Sequence, residues 1–219
     1  LFDLPLNTFR KSMVGNVFDR FQPVVWQQRE DAVLRVLFFG TYVPLHGAEF
    51  IVEAAEVLRA APVEFTLIGQ GQDFESVRRR AGESGLEHIR FVEEWYSVEQ
   101  LAEAMRQADV CLGIFGATAK AARVIPYKVF GALALARPVI TRDSPAIREL
   151  LVDGESALLC PAADGEALAA SIERLRAEPD LCQQLGQNGY ARYQAHATRE
   201  AIGRDFVEAL KGEMDQRGR

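Results

Sequence analysis

The chain has few residues of the kinds that build metal centres or disulfide frameworks. Its 219 residues include three cysteines and three histidines. Cys111, Cys160 and Cys182 form no C-x-x-C pair and have no spacing typical of metal ligands. Cys111 lies in an apolar run, where a free thiol behaves as a small hydrophobic group. The sequence therefore predicts neither a structural metal nor a disulfide framework, which fits a reducing compartment.

Long apolar runs and an excess of positive charge are also lacking. No run approaches the roughly 20 residues that a membrane-spanning helix needs, and no secretory signal is visible. Twenty-five basic residues face thirty-one acidic ones, for a net charge of −6. Because nucleic-acid binders are usually basic, that class is disfavoured. We expect a cytoplasmic protein. Because its net negative charge repels phosphate, any phosphate ligand must be bound by local positive or hydrogen-bonding groups.

A regular alternation of strand and helix patterns begins at residue 33. The apolar run 33–39 predicts a strand covered on both faces, and 47–60 predicts an amphipathic helix. Further predicted strands cover 64–69, 89–92, 109–115, 138–141 and 156–161. Further predicted helices cover 73–83, a capped segment after Ser97, 127–136, a segment starting at Ser144-Pro145, 164–177, 179–194 and 198–212. This order predicts an open parallel sheet with helices on both faces, whose ligands bind beyond the carboxyl ends of the strands.

The first 32 residues show no such period. They mix apolar, proline and charged residues, which predicts a linker or an element that needs a partner. Because the chain begins at Leu1 rather than Met, we expect either a fragment of a longer protein or a processed chain.

The most informative segment is GTYVPLHG, residues 40–47. It follows a predicted strand and opens a predicted helix, an arrangement that often binds anions. Glycines at 40 and 47 let the backbone approach a ligand, and the first free N–H groups of the helix point at it. The spacing fits neither the dinucleotide fingerprint nor the Walker pattern. A tight connection without a ligand is the alternative interpretation.

Three later segments carry further candidates. Gly69-Gln70-Gly71 follows the second strand, and Trp95 and Tyr96 follow the third, where they either stack on a base or pack at the end of the sheet. Lys120, Arg123 and Lys128 flank a helix that begins near Pro126. Cations beside a helix N-terminus suit a diphosphate, and simple solvation is their alternative.

Several of these segments resemble one family. The turn at 40–47, the "IGQG" turn and above all residues 113–150, with Pro138-Val139-Ile140, resemble the nucleotide-sugar half of retaining GT-B glycosyltransferases of the group 1, or family 4, type. The resemblance runs from about 33 to 175. Thr41 and His46 stand where that family usually has Arg and Lys. Arg123 and Gly131 stand where it usually has two glutamates.

The resemblance implies the fold and the partners. The fold is one half of a GT-B fold, a Rossmann-like open parallel sheet with a helical C-terminal tail, over 33–219. Residues 1–32 would be a remnant of the interdomain region, and an N-terminal acceptor domain would be missing. We expect no cofactor and no metal, and membrane association only through an absent domain or a lipid acceptor.

The implied reaction is hexosyl transfer from a nucleotide-diphosphate sugar with retention, as in polysaccharide biosynthesis. We expect the isolated chain to be inactive, and no catalytic residue is identified. The predicted donor-binding residues are Gly40, Thr41, His46, Gly47, Gly71, Trp95, Phe115, Gly116, Lys120, Lys128 and Val129.

Two alternatives remain open. A degenerate transferase domain that only binds or scaffolds a partner would account for the missing acids and basic pair. A nucleotide-sugar epimerase of the same fold would need carboxylates and a histidine converging in one cleft, and the sequence indicates no such set.

Overall fold

The protein is described here from a computed structural model that covers residues 17–217. Six strands form one parallel sheet in the order β3-β2-β1-β4-β5-β6. Their bounds are Leu34–Phe39 (β1), Val63–Ile68 (β2), Ile89–Val92 (β3), Val110–Leu112 (β4), Val139–Arg142 (β5) and Leu158–Cys160 (β6). The predicted open parallel sheet is confirmed. The order reverses between β1 and β4, which opens a crevice at their carboxyl ends.

Seven α-helices lie among the described residues. Their bounds are Ala48–Val57 (α1), Phe74–Glu83 (α2), Val98–Gln107 (α3), Tyr127–Ala134 (α4), Gly165–Ala177 (α5), Pro179–His196 (α6) and Arg199–Arg217 (α7). Helices α1, α2 and α5 share one hydrophobic core with one face of the sheet. Helices α3 and α4 share a second core with the other face. Within the described part of the chain, no helix is both long and apolar enough to cross a membrane.

Caps account for several helix starts. The predicted capping box before α3 is confirmed, because Ser97 Oγ accepts from Gln100 N and Gln100 Oε1 accepts from Ser97 N. Asp164 caps α5 and Thr198 caps α7, as predicted. The prediction of a helix that starts at Ser144-Pro145 is wrong. Ser144 Oγ does accept from Ile147 N, but only a single 3-10 turn, Ile147–Glu149, follows it.

Residues 17–32 lie against the domain. Phe18 is fully buried over α4, and Trp26 is 7% exposed in the first core. The buried Arg137 donates to Val24 O, and Arg29 forms an ion pair with Asp109. The expectation that the segment needs a partner to pack is wrong for this part, because aromatic anchors and two guanidinium groups hold it without any periodic pattern. Residues 1–16 lie outside the described residues, and the domain boundary at 33 stays a prediction.

Candidate functional site

The turns after β1 and β2 pack backbone against backbone. Gly40 N donates to Ile68 O at 2.9 Å. A Cβ built on Gly69 would lie 2.0 Å from Gly40 O, and Gly69 has a φ of +132°. A Cβ on Gly71 would lie 2.4 Å from Tyr42 O. Contact at this range excludes any side chain at these glycines, so the two turns form one rigid rim at the edge of the sheet.

A second close approach joins the turn after β1 to the segment after β4. Phe115 N donates to His46 O at 2.9 Å. A Cβ on Gly47, which precedes α1 with a φ of +63°, would lie 2.5 Å from Gly116 N. A Cβ on Gly116 would lie 2.1 Å from Pro44 O. Four predicted site residues therefore meet where the strand order reverses, the usual ligand position in such sheets.

Lys128 extends from the first turn of α4 into this junction. It is 5% exposed, and its Nζ has no hydrogen-bond partner among the described residues. The Nζ lies 3.8 Å from the ring centroid of Phe38 and 2.8 Å from where a Cβ on Gly40 would be. His46 Cε1 lies 3.2 Å from the same point, and His46 Nδ1 is also buried without a partner. Two nitrogen groups thus converge over Gly40 with unmet hydrogen-bonding capacity.

Burial decides the charge state of both groups. It lowers the pKa of Lys128 well below its ordinary value. Burial is also the larger cause that lowers the pKa of His46 to about 4, with Lys128 as the second cause. A hydrogen bond with the backbone of Thr41 opposes this shift. Without an anion, the junction therefore favours the neutral forms of both side chains.

We expect the low pKa of His46 to appear in the acid stability of the chain. The unfolded histidine takes up its proton near its ordinary pKa of 6.5, whereas the folded one does so only near 4. Since the unfolded state then binds more protons, stability falls as the pH drops from 6.5 towards 4. The contribution is at most about 1.4 kcal/mol per pH unit, reduced by solvent at this partly exposed ring.

Urea unfolding at several pH values in this window measures the effect. The stability of His46→Gln should depend less on pH in this window, because the variant lacks the titrating imidazole. The carboxylates that also titrate in the window are present in both the variant and the wild type, so they contribute equally to both profiles. Parallel profiles for the two chains would contradict the assignment.

A pocket of about 150 Å³ opens beside the junction, at the ends of β1, β2 and β3. Trp95 stands in its wall with 86% of its surface exposed, and Tyr96 and the exposed Thr41 line it too. Gln70 Nε2 donates to Glu93 O and ties the two loops together. An indole so exposed beside a pocket is available for stacking, and the sheet-packing alternative does not describe Trp95.

The three predicted cations have different surroundings. Lys128 is buried at the junction, whereas Lys120 and Arg123 are exposed around the 3-10 turn Ala121–Arg123. Arg123 Nε donates to Ala119 O. Of the expected basic set, only Lys128 is buried at the junction, and the roles of Lys120 and Arg123 stay predictions. Val129 lies in α4 and is 1% exposed, and its backbone N–H donates to Pro126 O, so its side chain packs in the core.

Sequence reasoning missed two supporting residues. The Phe38 ring forms the base under Lys128, and the guanidinium of Arg142 donates to Gly116 O. Arg142 ends β5 directly after the "PVIT" run, so its place at the carboxyl edge of the sheet was the available signal. Within residues 17–217, no group of three or more His, Cys, Asp or Glu side chains could hold a metal ion.

Comparison with known proteins agrees with this geometry. The chain is 35% identical over 145 residues to a phosphatidyl-myo-inositol mannosyltransferase of Mycobacterium leprae, covering 64% of this chain and 36% of the relative. It is 26% identical over 192 residues to the putative glycosyltransferase EpsD of Bacillus subtilis, covering 80% and 47%. The chain thus spans less than half the length of these relatives.

Solved structures show the same fold. The C-terminal domain of the group 1 glycosyltransferase LpcC of Francisella tularensis matches with a TM-score of 0.70 at 21% identity, over 84% of this chain and all of that domain. HepE of Anabaena, solved with UDP and glucose, matches with a TM-score of 0.71 at 16% identity, over 82% of this chain and 48% of HepE. The sequence profile of the family described as glycosyl transferases group 1 matches residues 34–178. The chain belongs to the glycosyl transferases group 1 family and has the fold of a C-terminal domain of this group.

Proposed function

We propose that this chain binds the nucleotide-diphosphate sugar for a glycosyltransferase that transfers a hexose with retention. The observation that best supports this proposal is the buried Nζ of Lys128, which has no hydrogen-bond partner among the described residues. It lies over Gly40, at the carboxyl edge of the sheet. A buried amine without a partner costs stability unless a ligand compensates it. The relatives support the class of ligand, since one is a mannosyltransferase and HepE was solved with UDP.

In this proposal the diphosphate lies over Gly40, between the N-termini of α1 and α4. Lys128 and the first N–H groups of the helices face the charge that develops on the leaving diphosphate. His46 is neutral near pH 7 and offers a hydrogen bond without adding charge. The nucleobase occupies the neighbouring pocket and stacks on Trp95. No cofactor or metal takes part in this arrangement, and a cytoplasmic location remains part of the proposal.

Calorimetric titration at fixed ionic strength tests the donor site. Ligands are UDP-glucose and guanosine diphosphate mannose. Lys128→Ala should weaken binding by about 1–3 kcal/mol, the range for a hydrogen bond to a charged group. Thr41→Ala should matter less, because a hydroxyl offers a neutral bond, and Lys211→Ala on α7 controls for the loss of one charge. Binding that ignores Lys128 would place the diphosphate elsewhere.

The second candidate function is that of a degenerate transferase domain that binds or scaffolds a partner and catalyses no reaction. One observation favours it. A Cβ on Gly131 would lie 2.8 Å from the ring of Phe18, so this position of α4 has no room for the acid that the family resemblance leads one to expect. Failure of both nucleotide sugars to bind at about millimolar concentration would put this candidate first.

We expect the 219-residue chain alone to transfer no sugar. It spans 36–47% of the two relatives compared, and an acceptor site and closure against water are expected from the remainder. Incubation with nucleotide sugars and a panel of sugar and lipid acceptors, followed by mass spectrometry, measures this. Sugar transfer by the purified chain would contradict the half-enzyme proposal, while hydrolysis alone would not.

A further inference from the structure

Among the described residues, no negative charge lies close enough to Lys128 to hold an ammonium. β1 offers the ring of Phe38, and the 40–47 turn offers only the neutral His46. On the β4 side the nearby charge is positive, since Arg142 donates to Gly116 O. Glu49, in the first turn of α1, has Asp73, Glu53 and Arg80 as its charged neighbours. No ion pair of Lys128 exists among the described residues.

The two remaining effects on the ammonium oppose each other. A cation over an aromatic ring is attracted by the negative face of the ring, but this attraction is weaker than the cost of removing an ion from water. The positive end of the α4 dipole adds to that cost, because Lys128 lies in the first turn. The unfavourable terms are larger, which agrees with the lowered pKa of this side chain.

We propose that Lys128 is a neutral amine in the free chain and takes up one proton from solvent when the diphosphate of a nucleotide sugar binds. This inference rests on the donor-site function proposed above. The amine lone pair accepts the proton, the buffer loses it, and the diphosphate keeps its two negative charges. The ammonium then meets the charge that the protein itself does not supply.

This coupling predicts the direction of the pH dependence. Since the complex holds more protons than the free chain, affinity falls as the pH rises, by up to about tenfold per pH unit above the pKa of the free amine. A lysine already charged in the free chain would give an affinity independent of pH in the same range.

Calorimetry in two buffers with different heats of ionisation counts the protons directly. UDP-glucose is the probe, with guanosine diphosphate mannose as the second. In both, the terminal phosphate is esterified, whereas the free terminal phosphate of UDP titrates near pH ~6 and would add its own protons. Uptake should rise with pH and approach about one proton per bound ligand above the pKa of the free amine.

Two variants assign the proton. Lys128→Arg should bind without uptake, because a guanidinium stays charged. His46→Gln should keep the uptake, because the proton belongs to the amine. Uptake that disappears in His46→Gln would overturn the inference. If Lys128→Arg does not bind, the His46→Gln result alone decides between the two groups.

The outcomes separate this inference from the function on which it rests. Binding of either nucleotide sugar with no buffer-dependent heat across the range overturns the proton coupling and leaves the donor site standing. Absence of binding by both overturns the donor site, and the coupling falls with it.

Discussion

Lys128→Met is expected to make the chain more stable and to weaken its binding of nucleotide sugars by about 1–3 kcal/mol, the range for a hydrogen bond to a charged group. Lys128 is 5% exposed and its amine has no hydrogen-bond partner in the part of the chain that the structure describes, so folding removes it from water without compensation there. A thioether of similar length fills the same space over Phe38 without a polar atom to desolvate. Removing a strained functional group of this kind typically stabilises a protein by about 0.5–2 kcal/mol.

The pH dependence of this gain follows from the lowered pKa of Lys128. In the unfolded chain the amine is protonated up to its ordinary pKa of 10.5, whereas the folded chain holds it less readily. Wild-type stability is therefore reduced wherever the unfolded state binds the extra proton, which includes neutral pH. The advantage of the methionine variant should shrink as the pH approaches 10.5.

Thermal unfolding measures the gain. For a chain of this length, 1 kcal/mol corresponds to about 2–4 °C in Tm. Lys211→Met, which removes an exposed lysine of α7, is the matched control and should leave Tm almost unchanged. A Lys128→Met chain that is less stable than the wild type would show that the amine has a partner in the free protein. Binding of nucleotide sugars at the wild-type affinity would show that Lys128 does not contact the ligand.

The sequence predicted the glycine turns of this site better than the burial of its charged side chains. Glycines at 40 and 47 mark the turn because close backbone contact and left-handed φ angles are local requirements that residue type reveals. The burial of Lys128 depends on how α4 lies against β1, which are about 90 residues apart, and no local pattern encodes that contact. The same holds for Lys120 and Arg123, whose exposure depends on how the loop before α4 leaves the sheet.

Two further differences have physical reasons of the same type. The strand predicted over 109–115 is longer than β4, which covers Val110–Leu112. Backbone hydrogen bonds to β5 continue through Ile114, and Phe115 N then donates to His46 O in the neighbouring turn. The N-terminal segment has no period because Phe18 and Trp26 each fill a separate gap, one over α4 and one in the first core. Isolated anchors leave no repeating signal in a sequence, whereas the amphipathic helices do.

Gly69→Ala is expected to destabilise the chain more than any exposed substitution, because two independent costs act at this position. Its φ of +132° is a conformation that side chains rarely adopt, at about 1–3 kcal/mol. The new methyl group would lie 2.0 Å from Gly40 O, and relieving such an overlap costs about 1–3 kcal/mol more. The structure cannot easily shift to relieve this overlap, because the contacted backbone of Gly40 is itself held by a hydrogen bond from Gly40 N to Ile68 O.

Gly82→Ala in α2 is the matched control for Gly69→Ala. No atom lies within 4 Å of the Cβ it would introduce, and it sits in a helix, where alanine is favoured by about 0.5–1 kcal/mol. The midpoints of urea unfolding should therefore move in opposite directions for the two variants. Binding of UDP-glucose should weaken only in Gly69→Ala, because the displaced turn carries Gly40 and one wall of the neighbouring pocket. If Gly69→Ala unfolds at the wild-type midpoint, the two turns do not pack backbone against backbone, and the rigid rim under Lys128 is absent.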